Sequence, residues 1–421
     1  MTSISTPNKF WNSFAHKCWE KKSLLVKNFK NPIVEIDQNQ IFKMLVDFSN
    51  HCRKLKSADG FKLYIEGQML HPAEVLQYLP VTSDKTLAGY NTRMEKDFQD
   101  YCLVCDELLQ TSQENWEKLR QFTSTLFSHV GFPNRFAEMG LYLGNYRKTP
   151  FGVHVDGCGV FSFPVIGHKT FRLWEPSFAL KNPSLDRAVN YNRFKKNSTT
   201  MKASPGDMTY WPSSAWHIAE SDGSFNATWS IGIWVDRPHL SNVELALSPI
   251  LKSKLGAIGL DAVTKDLPLI SDGEVSSLPK NYAQSILAIK NISEDELYDT
   301  YMQAWLKLLS MHGFKTPFRF TLPSKFSAKS EIQLPASQTI LWAHLKSKKK
   351  TLYAFEGVTL EISPSANIQR LVKALNSGRP CKLADYLTGT NKTAELKSIQ
   401  SLLVTTVAFF ILNQLLLLVF Y

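Results

Sequence analysis

The stretch "HVDGCGVFSFPVIGHKTFRLW", residues 154 to 174, constrains this chain more than any other, because it sets a histidine, an aspartate and a later lysine into an apolar, β-branched and aromatic run. Alternate residues of a strand point to one face, so the pattern predicts His154 and Asp156 side by side, able to grip one metal ion. Val160 to Ile166 reads as a strand, Gly167-His168 as a tight turn and Lys169 to Trp174 as the return strand of a β-hairpin. Alone, an H-x-D triplet arises by chance and a lysine beside a turn is usually solvated, so the context decides.

That context is "PGDMTYWPSSAWHIAES", residues 205 to 221. Pro205-Gly206-Asp207 reads as a turn, Met208 to Trp211 as a short strand, and Pro212-Ser213-Ser214 as a second turn. Trp216-His217 opens a further strand expected to run on through "NATWSIGIWV". His217 can join His154 and Asp156 as two imidazoles and one carboxylate, a set that leaves one face of an octahedral metal open and suits non-haem Fe(II) oxygenases. The plainer alternative is a core histidine hydrogen-bonded to a neighbour.

His154-x-Asp156, Lys169 fifteen residues after the first histidine, Pro205-Gly206-Asp207 and Trp216-His217 together resemble the JmjC branch of the cupin-fold, 2-oxoglutarate-dependent oxygenases, over about residues 140 to 238. Within that branch the pattern looks closest to the ribosomal oxygenases and the asparaginyl protein hydroxylases. The resemblance implies Fe(II) on His154, Asp156 and His217, with 2-oxoglutarate and O2 as cosubstrates and Lys169 on the distal carboxylate of 2-oxoglutarate. Tyr142 stands at the spacing of a cosubstrate-contacting tyrosine of the ribosomal oxygenases. Gly232 departs from the family pattern, standing where asparaginyl hydroxylases place a cosubstrate-binding asparagine, which leaves Thr149, Thr228 and Ser230 as substitutes. Arg172 is the alternative anchor should Lys169 not serve.

The chain has 421 residues, 44% apolar and 20% charged, ordinary globular values at a length that suggests two or three domains. Six cysteines without a signal-like N-terminus argue for a reducing, cytoplasmic setting rather than a disulfide framework. Cys102 and Cys105 form a C-x-x-C in a stretch read as helical and are expected to be structural, since no second pair follows. Net charge is +11, and residues 316 to 421 hold 13 Lys or Arg against 5 Asp or Glu, which favours an acidic partner such as a peptide or nucleic acid over a solvated face only evenly.

Asp37-x-x-Gln40 and Thr111-x-x-Glu114 read as helix-capping boxes, and Trp116, Leu119, Phe122, Leu126 and Val130 as the core stripe of a helix ending at Gly131. "GFKLYIEGQ", 60 to 68, reads as a strand joining the edge of the barrel. After Pro238 the texture turns helical, with Ser241-x-x-Glu244 and Ser293-x-x-Glu296 as capping boxes and an amphipathic helix through Trp305 and Leu309. From about 338 come three strand-like runs, then helices and a final apolar stretch, "SLLVTTVAFFILNQLLLLVFY". Ile399, Leu402, Leu403, Val407 and Phe410 would share a helical face there and "LLLLVFY" would be a closing strand. A membrane tail anchor is the rival, countered by Asn413-Gln414 within the run.

The expected fold is thus α+β: a double-stranded β-helix (jelly-roll, JmjC/cupin) core with an N-terminal extension over 1–238, a helical region over 239–315, and a C-terminal winged-helix-like domain over 316–421. By resemblance the helical region implies a homodimer, and the C-terminal domain a protein or peptide substrate. Nucleic acid is not the expected partner, because "KLADYL" is too short for a recognition element, and neither is a membrane. The expected activity is hydroxylation of an amino-acid side chain in a protein or peptide, with succinate and CO2 as coproducts. A JmjC-type demethylase acting on N-methyl-lysine or N-methyl-arginine is the enzymatic rival, and a non-catalytic cupin that only binds peptides is the rival from another class.

Overall fold

A computed structural model describes residues 7–30, 35–133, 135–235, 239–255, 280–317, 327–334, 338–403 and 410–411. They form two compact units, 1–236 with 311–320, and 237–310 with 321–421. Among the described residues no helix is long and apolar enough to cross a membrane. All six cysteines are buried and unbridged.

Among the described residues the first unit has eleven strands: β1 Leu24–Val26, β2 Phe61–Ile65, β3 Gln68–Met69, β4 Tyr101–Cys105, β5 Ala137–Gly144, β6 Cys158–Ile166, β7 Lys169–Trp174, β8 Thr199–Ala203, β9 Met208–Trp211, β10 Trp216–Glu220 and β11 Asn226–Trp234. Eight make a major sheet in the order β1-β9-β6-β11-β5-β4-β2-β3, and three a minor sheet, β10-β7-β8. All the strand pairs within them are antiparallel.

Two sheets facing one another explain the alternation along each strand. On β11, Ala227, Trp229, Ile231 and Ile233 face a core shared with helices Pro7–Lys17, Gln38–Leu55 and Gln113–Val130, while Thr228, Ser230, Gly232 and Trp234 face the space between the sheets. Phe161 and Phe163 of β6 join that helix-covered core, where Trp11, Phe122 and Phe161 meet edge to face. Each such side chain, fully enclosed, contributes about 1.5 to 3 kcal/mol of burial.

Three strand expectations need correction. β6 and β7 are real and the turn between them is at Gly167, φ +70, but they do not pair: β6 lies in the major sheet and β7 in the minor one. The turn carries the chain between sheets, and Gly167 is required there because a Cβ would meet Phe225 O at 3.0 Å. The strand begun at Trp216 likewise stops at Glu220, and the chain changes sheet before β11. Cys102 and Cys105 lie on β4, not a helix; all five residues of that strand are buried, so its apolar run lacks the alternation that would mark a strand.

The Asp37 capping box forms as expected. For the helix Gln113–Val130 the cap is Ser112, whose side chain accepts from Asn115 N, while the Thr111 hydroxyl donates to Leu108 O. Trp116, Leu119, Phe122 and Leu126 are buried, and Gly131 closes the helix at φ +85.

In the second unit, helices span His239–Leu255, Lys280–Lys290, Glu294–Ser310, Ala366–Asn376, Leu383–Tyr386 and Lys392–Leu403. Its strands are β12 Glu331–Gln333, β13 Leu341–His344, β14 Thr351–Phe355, β15 Val358–Ile362, β16 Cys381–Lys382 and β17 Phe410–Ile411, in two sheets, β13-β14-β15 and β16-β12-β17. β14 is buried on both faces: Tyr353 and Phe355 pack with Ile368, Leu371 and Ile399, whereas Leu352 and Ala354 pack with Leu306. The helix bearing Leu306 therefore shares a core with the strands that follow it. The Ser293–Glu296 box forms, while Ser241 lies inside the helix His239–Leu255, two residues past its first. Ile399, Leu402 and Leu403 are buried on one helix, while Phe410, expected to continue their face, is on β17. Val407, Asn413-Gln414 and "LLLLVFY" lie outside the described residues.

Candidate active site

The two histidines are brought together by backbone before side chains. Alongside β10 the chain from Lys148 to His154 makes two isolated bridges, Lys148 to Glu220 and His154 to His217. At the second, His154 N donates to His217 O at 3.0 Å and His217 N to His154 O at 2.8 Å. Residues directly opposed in a ladder project to the same face, and the ring centroids are 4.3 Å apart. Each Nδ1 lies by a carbonyl two residues back, His154 at 3.0 Å from Gly152 O and His217 at 3.1 Å from Ala215 O. An Nδ1–H donated there leaves each Nε2 with its lone pair free for a ligand.

Both Nε2 atoms face Asp156, at 3.2 Å from Oδ1 for His154 and 3.3 Å from Oδ2 for His217. His154 and Asp156 share a side as the i, i+2 spacing predicted, with Val155 between them turned outward and exposed. Burial alone would push the Asp156 carboxyl up, but His217 first and His154 next hold it well below the usual carboxylate range. The donor atoms of the three residues lie within 4.8 Å of one another and could hold a metal ion. Two neutral imidazoles and one ionised carboxylate are the donor chemistry that an Fe(II) site with open positions requires.

A cavity of about 350 Å³ between the two sheets contains the triad and every other expected site residue: Tyr142, Thr149, Lys169, Thr228 and Ser230. Thr149 is placed by Thr149 N donating to Ala219 O at 2.9 Å. Lys169, first residue of β7, points inward with Phe171 and Leu173, and is 2% exposed. Its ammonium donates to the Tyr146 hydroxyl and, at 2.9 Å, to Asn226 Oδ1. One ammonium proton remains for a ligand. Burial pulls the Lys169 pKa down to about 7. Arg172, the alternative anchor, points the opposite way along β7 and is held by Glu220 at 3.0 Å and Ser198 at 2.8 Å.

Tyr146 and Asn226 were not anticipated. Asn226 also donates to Gly144 O at 2.9 Å, and so ties the lysine to β5 as well as β11. No local spacing marks either residue, since they stand 23 and 57 residues from Lys169 in sequence. Glu138 was missed too. It lies opposite Gly232, accepts from Trp234 Nε1 at 2.9 Å, and burial pushes its pKa up to about 7.

Comparison with known proteins agrees with this architecture. Residues 110–242 match the family described as JmjC domain. HSPB1-associated protein 1 of Rattus norvegicus is 27% identical over 159 residues, 32% of this chain and 32% of that protein; the Homo sapiens protein matches to the same extent. The match thus spans about a third of the length of these curated relatives. Among solved structures, Escherichia coli ycfD superposes with a TM-score of 0.53 at 14% identity, covering 97% of this chain and 99% of that one. A structure of the same ribosomal oxygenase with cobalt and 2-oxoglutarate gives 0.50 at 13% identity, covering 95% and 97%. At such identities the likeness is one of fold.

Proposed function

We propose that this chain, whose residues 110–242 match the JmjC domain family, is a 2-oxoglutarate oxygenase that hydroxylates an amino-acid side chain in a protein or peptide, releasing succinate and carbon dioxide. The observation that carries the proposal is the joint placement, in one cavity, of three converging metal-ligand side chains and a buried lysine with a proton to give. Fe(II) would be held by His154, Asp156 and His217. Bound there with 2-oxoglutarate and O2, it supplies oxidation of an unreactive C–H bond.

The chain's own residues do the rest. Two neutral imidazoles and one carboxylate leave a divalent ion with a charge of about +1, which attracts a dianionic keto acid. Lys169, oriented by Tyr146 and Asn226, donates to its far carboxylate. Thr149, Thr228 and Ser230 offer hydroxyls along the cavity in place of the amide that Gly232 lacks, and Tyr142 a phenol beside them. Phe171 and Trp211 wall the site with apolar surface and keep water from it.

Three further points belong to the proposal. The strands and helices of residues 316–421 serve as a winged-helix-like substrate-holding domain. The helical region 239–315 mediates a homodimer, supported by the exposed Tyr282, Ile286, Leu287 and Ile289 on the helix Lys280–Lys290. The protein works in the cytoplasm, in keeping with six unbridged cysteines.

Mass spectrometry of protein and peptide substrates incubated with the chain, Fe(II) and 2-oxoglutarate tests the activity. A stable gain of one oxygen is expected. Loss of a methyl group with formaldehyde release would replace hydroxylation with demethylation, and no enzyme-dependent change across substrates would leave a non-catalytic cupin.

A further inference from the structure

The connection from β7 to β8, residues 175–198, covers the face of the minor sheet that turns away from the cavity. Ala179, Leu185, Tyr191 and Phe194 pack there on Trp174 of β7 and Ile218 of β10, which alternate with the residues that line the cavity. Two side chains pin it: Trp174 Nε1 donates to Phe194 O at 2.9 Å, and the Tyr191 hydroxyl to Glu220 Oε1 at 2.6 Å. Its middle is stitched to the backbone one residue before His154, with Arg187 N donating to Val153 O at 2.8 Å and Val153 N to Ala188 O at 3.2 Å. Gly152 is required for that approach: its φ is +75, and a Cβ would meet Arg187 O at 2.6 Å.

The outer side of this connection is cationic. Lys181, Arg187, Arg193, Lys195 and Lys196 are all exposed, and the stretch has only Glu175 and Asp186 to set against them. Among the described residues the one ion pair these cations make is that of Arg187 with its neighbour Asp186, at 3.9 Å. Five like charges on a fixed scaffold, left uncompensated by the protein, favour an anionic partner. Leu180 and Val189 are exposed in the same stretch, whereas the rings of Tyr191 and Phe194 are buried and not offered for base stacking. Aliphatic and cationic side chains together suit an acidic polypeptide better than a nucleic acid. Resting on the oxygenase proposal above, we infer that the connection 175–198 docks an acidic stretch of the polypeptide substrate, flanking the residue that enters the cavity beside His154.

The test uses the full chain loaded with Mn(II) and 2-oxoglutarate, and a fluorescein-labelled peptide of alternating Glu and Ala followed by anisotropy at low salt. This peptide should bind more tightly than its counterpart of Lys and Ala and than a single-stranded oligouridylate of equal length, and added salt should weaken it. Arg187→Glu, Lys195→Glu and Lys196→Glu together should lower its affinity at least about tenfold, since attractive surface pairs become repulsive. The same reversal at the exposed Lys54, Lys85 and Lys96 should change it less than about twofold, although net charge falls equally. Mn(II) should also broaden the peptide's proton resonances in NMR where Zn(II) does not, which places the peptide beside the metal. No binding of the acidic peptide, tighter binding of oligouridylate, an affinity that the first triple variant keeps or that both lose alike, or no broadening by Mn(II) would overturn the inference and leave the oxygenase proposal standing. A wild type that binds no 2-oxoglutarate with Mn(II) would overturn the oxygenase proposal, and the inference with it.

Discussion

Lys169 is an ammonium enclosed by protein, and its two hydrogen bonds do not offset the loss of water: burial brings its pKa to about 7. An anion binding beside it must find it protonated. Its pKa is lowered, so the charged form is present below about pH 7 and is lost above it. Affinity for 2-oxoglutarate should therefore fall about tenfold between pH 6.5 and 8 in calorimetric titration, and Lys169→Arg should flatten that slope. Lys169→Ala should weaken 2-oxoglutarate by at least about tenfold, since removing one member of a buried charge pair costs on the order of 2 to 5 kcal/mol. Equal binding by the alanine variant would move the anchor away from β7. His154 and Asp156 were legible in the sequence from their i, i+2 spacing, and His217 and Lys169 from the resemblance to the JmjC oxygenases; the structure brings all four to one cavity. Tyr146, Asn226 and Glu138 were not: the first two act on Lys169, far from them in sequence, Glu138 on Trp234 of the neighbouring strand, and none repeats a local pattern.

At the scale of elements, β5 carries the site between β4 and β11, and Gly144 is in register with both neighbours. It pairs with Cys102 on one side and Asn226 on the other. A Cβ there would meet Tyr101 O at 2.0 Å, against rigid backbone, at φ +147. Gly144→Ala should destabilise the fold by on the order of 2 to 3 kcal/mol in denaturant titration and loosen Asn226, whose amide donates to Gly144 O. An alanine variant of unchanged stability would show that β4 and β5 can part at that point. Most strand positions followed from alternation and turn residues, but pairing did not. Gly167 gives the same turn signal whether the chain folds back on its own sheet or crosses to the other. Likewise "YCLVC" reads alike for a helix and for a strand buried on both faces.

For the whole molecule, the exposed apolar side of the helix Lys280–Lys290 should be covered by a second copy. Leu287→Glu with Ile286→Glu should halve the mass seen in sedimentation equilibrium, and a wild type that is already monomeric would remove the dimer from the proposal. The central claim concerns the first unit: a metal at His154, Asp156 and His217 completes the seat for 2-oxoglutarate, whose other end is on Lys169. Anaerobic calorimetric titration of 2-oxoglutarate into the full chain, with and without Fe(II), tests it most directly. One equivalent should bind only when Fe(II) is present, and His217→Ala should abolish that binding; 2-oxoglutarate that binds equally without iron, or equally to His217→Ala, would contradict the claim.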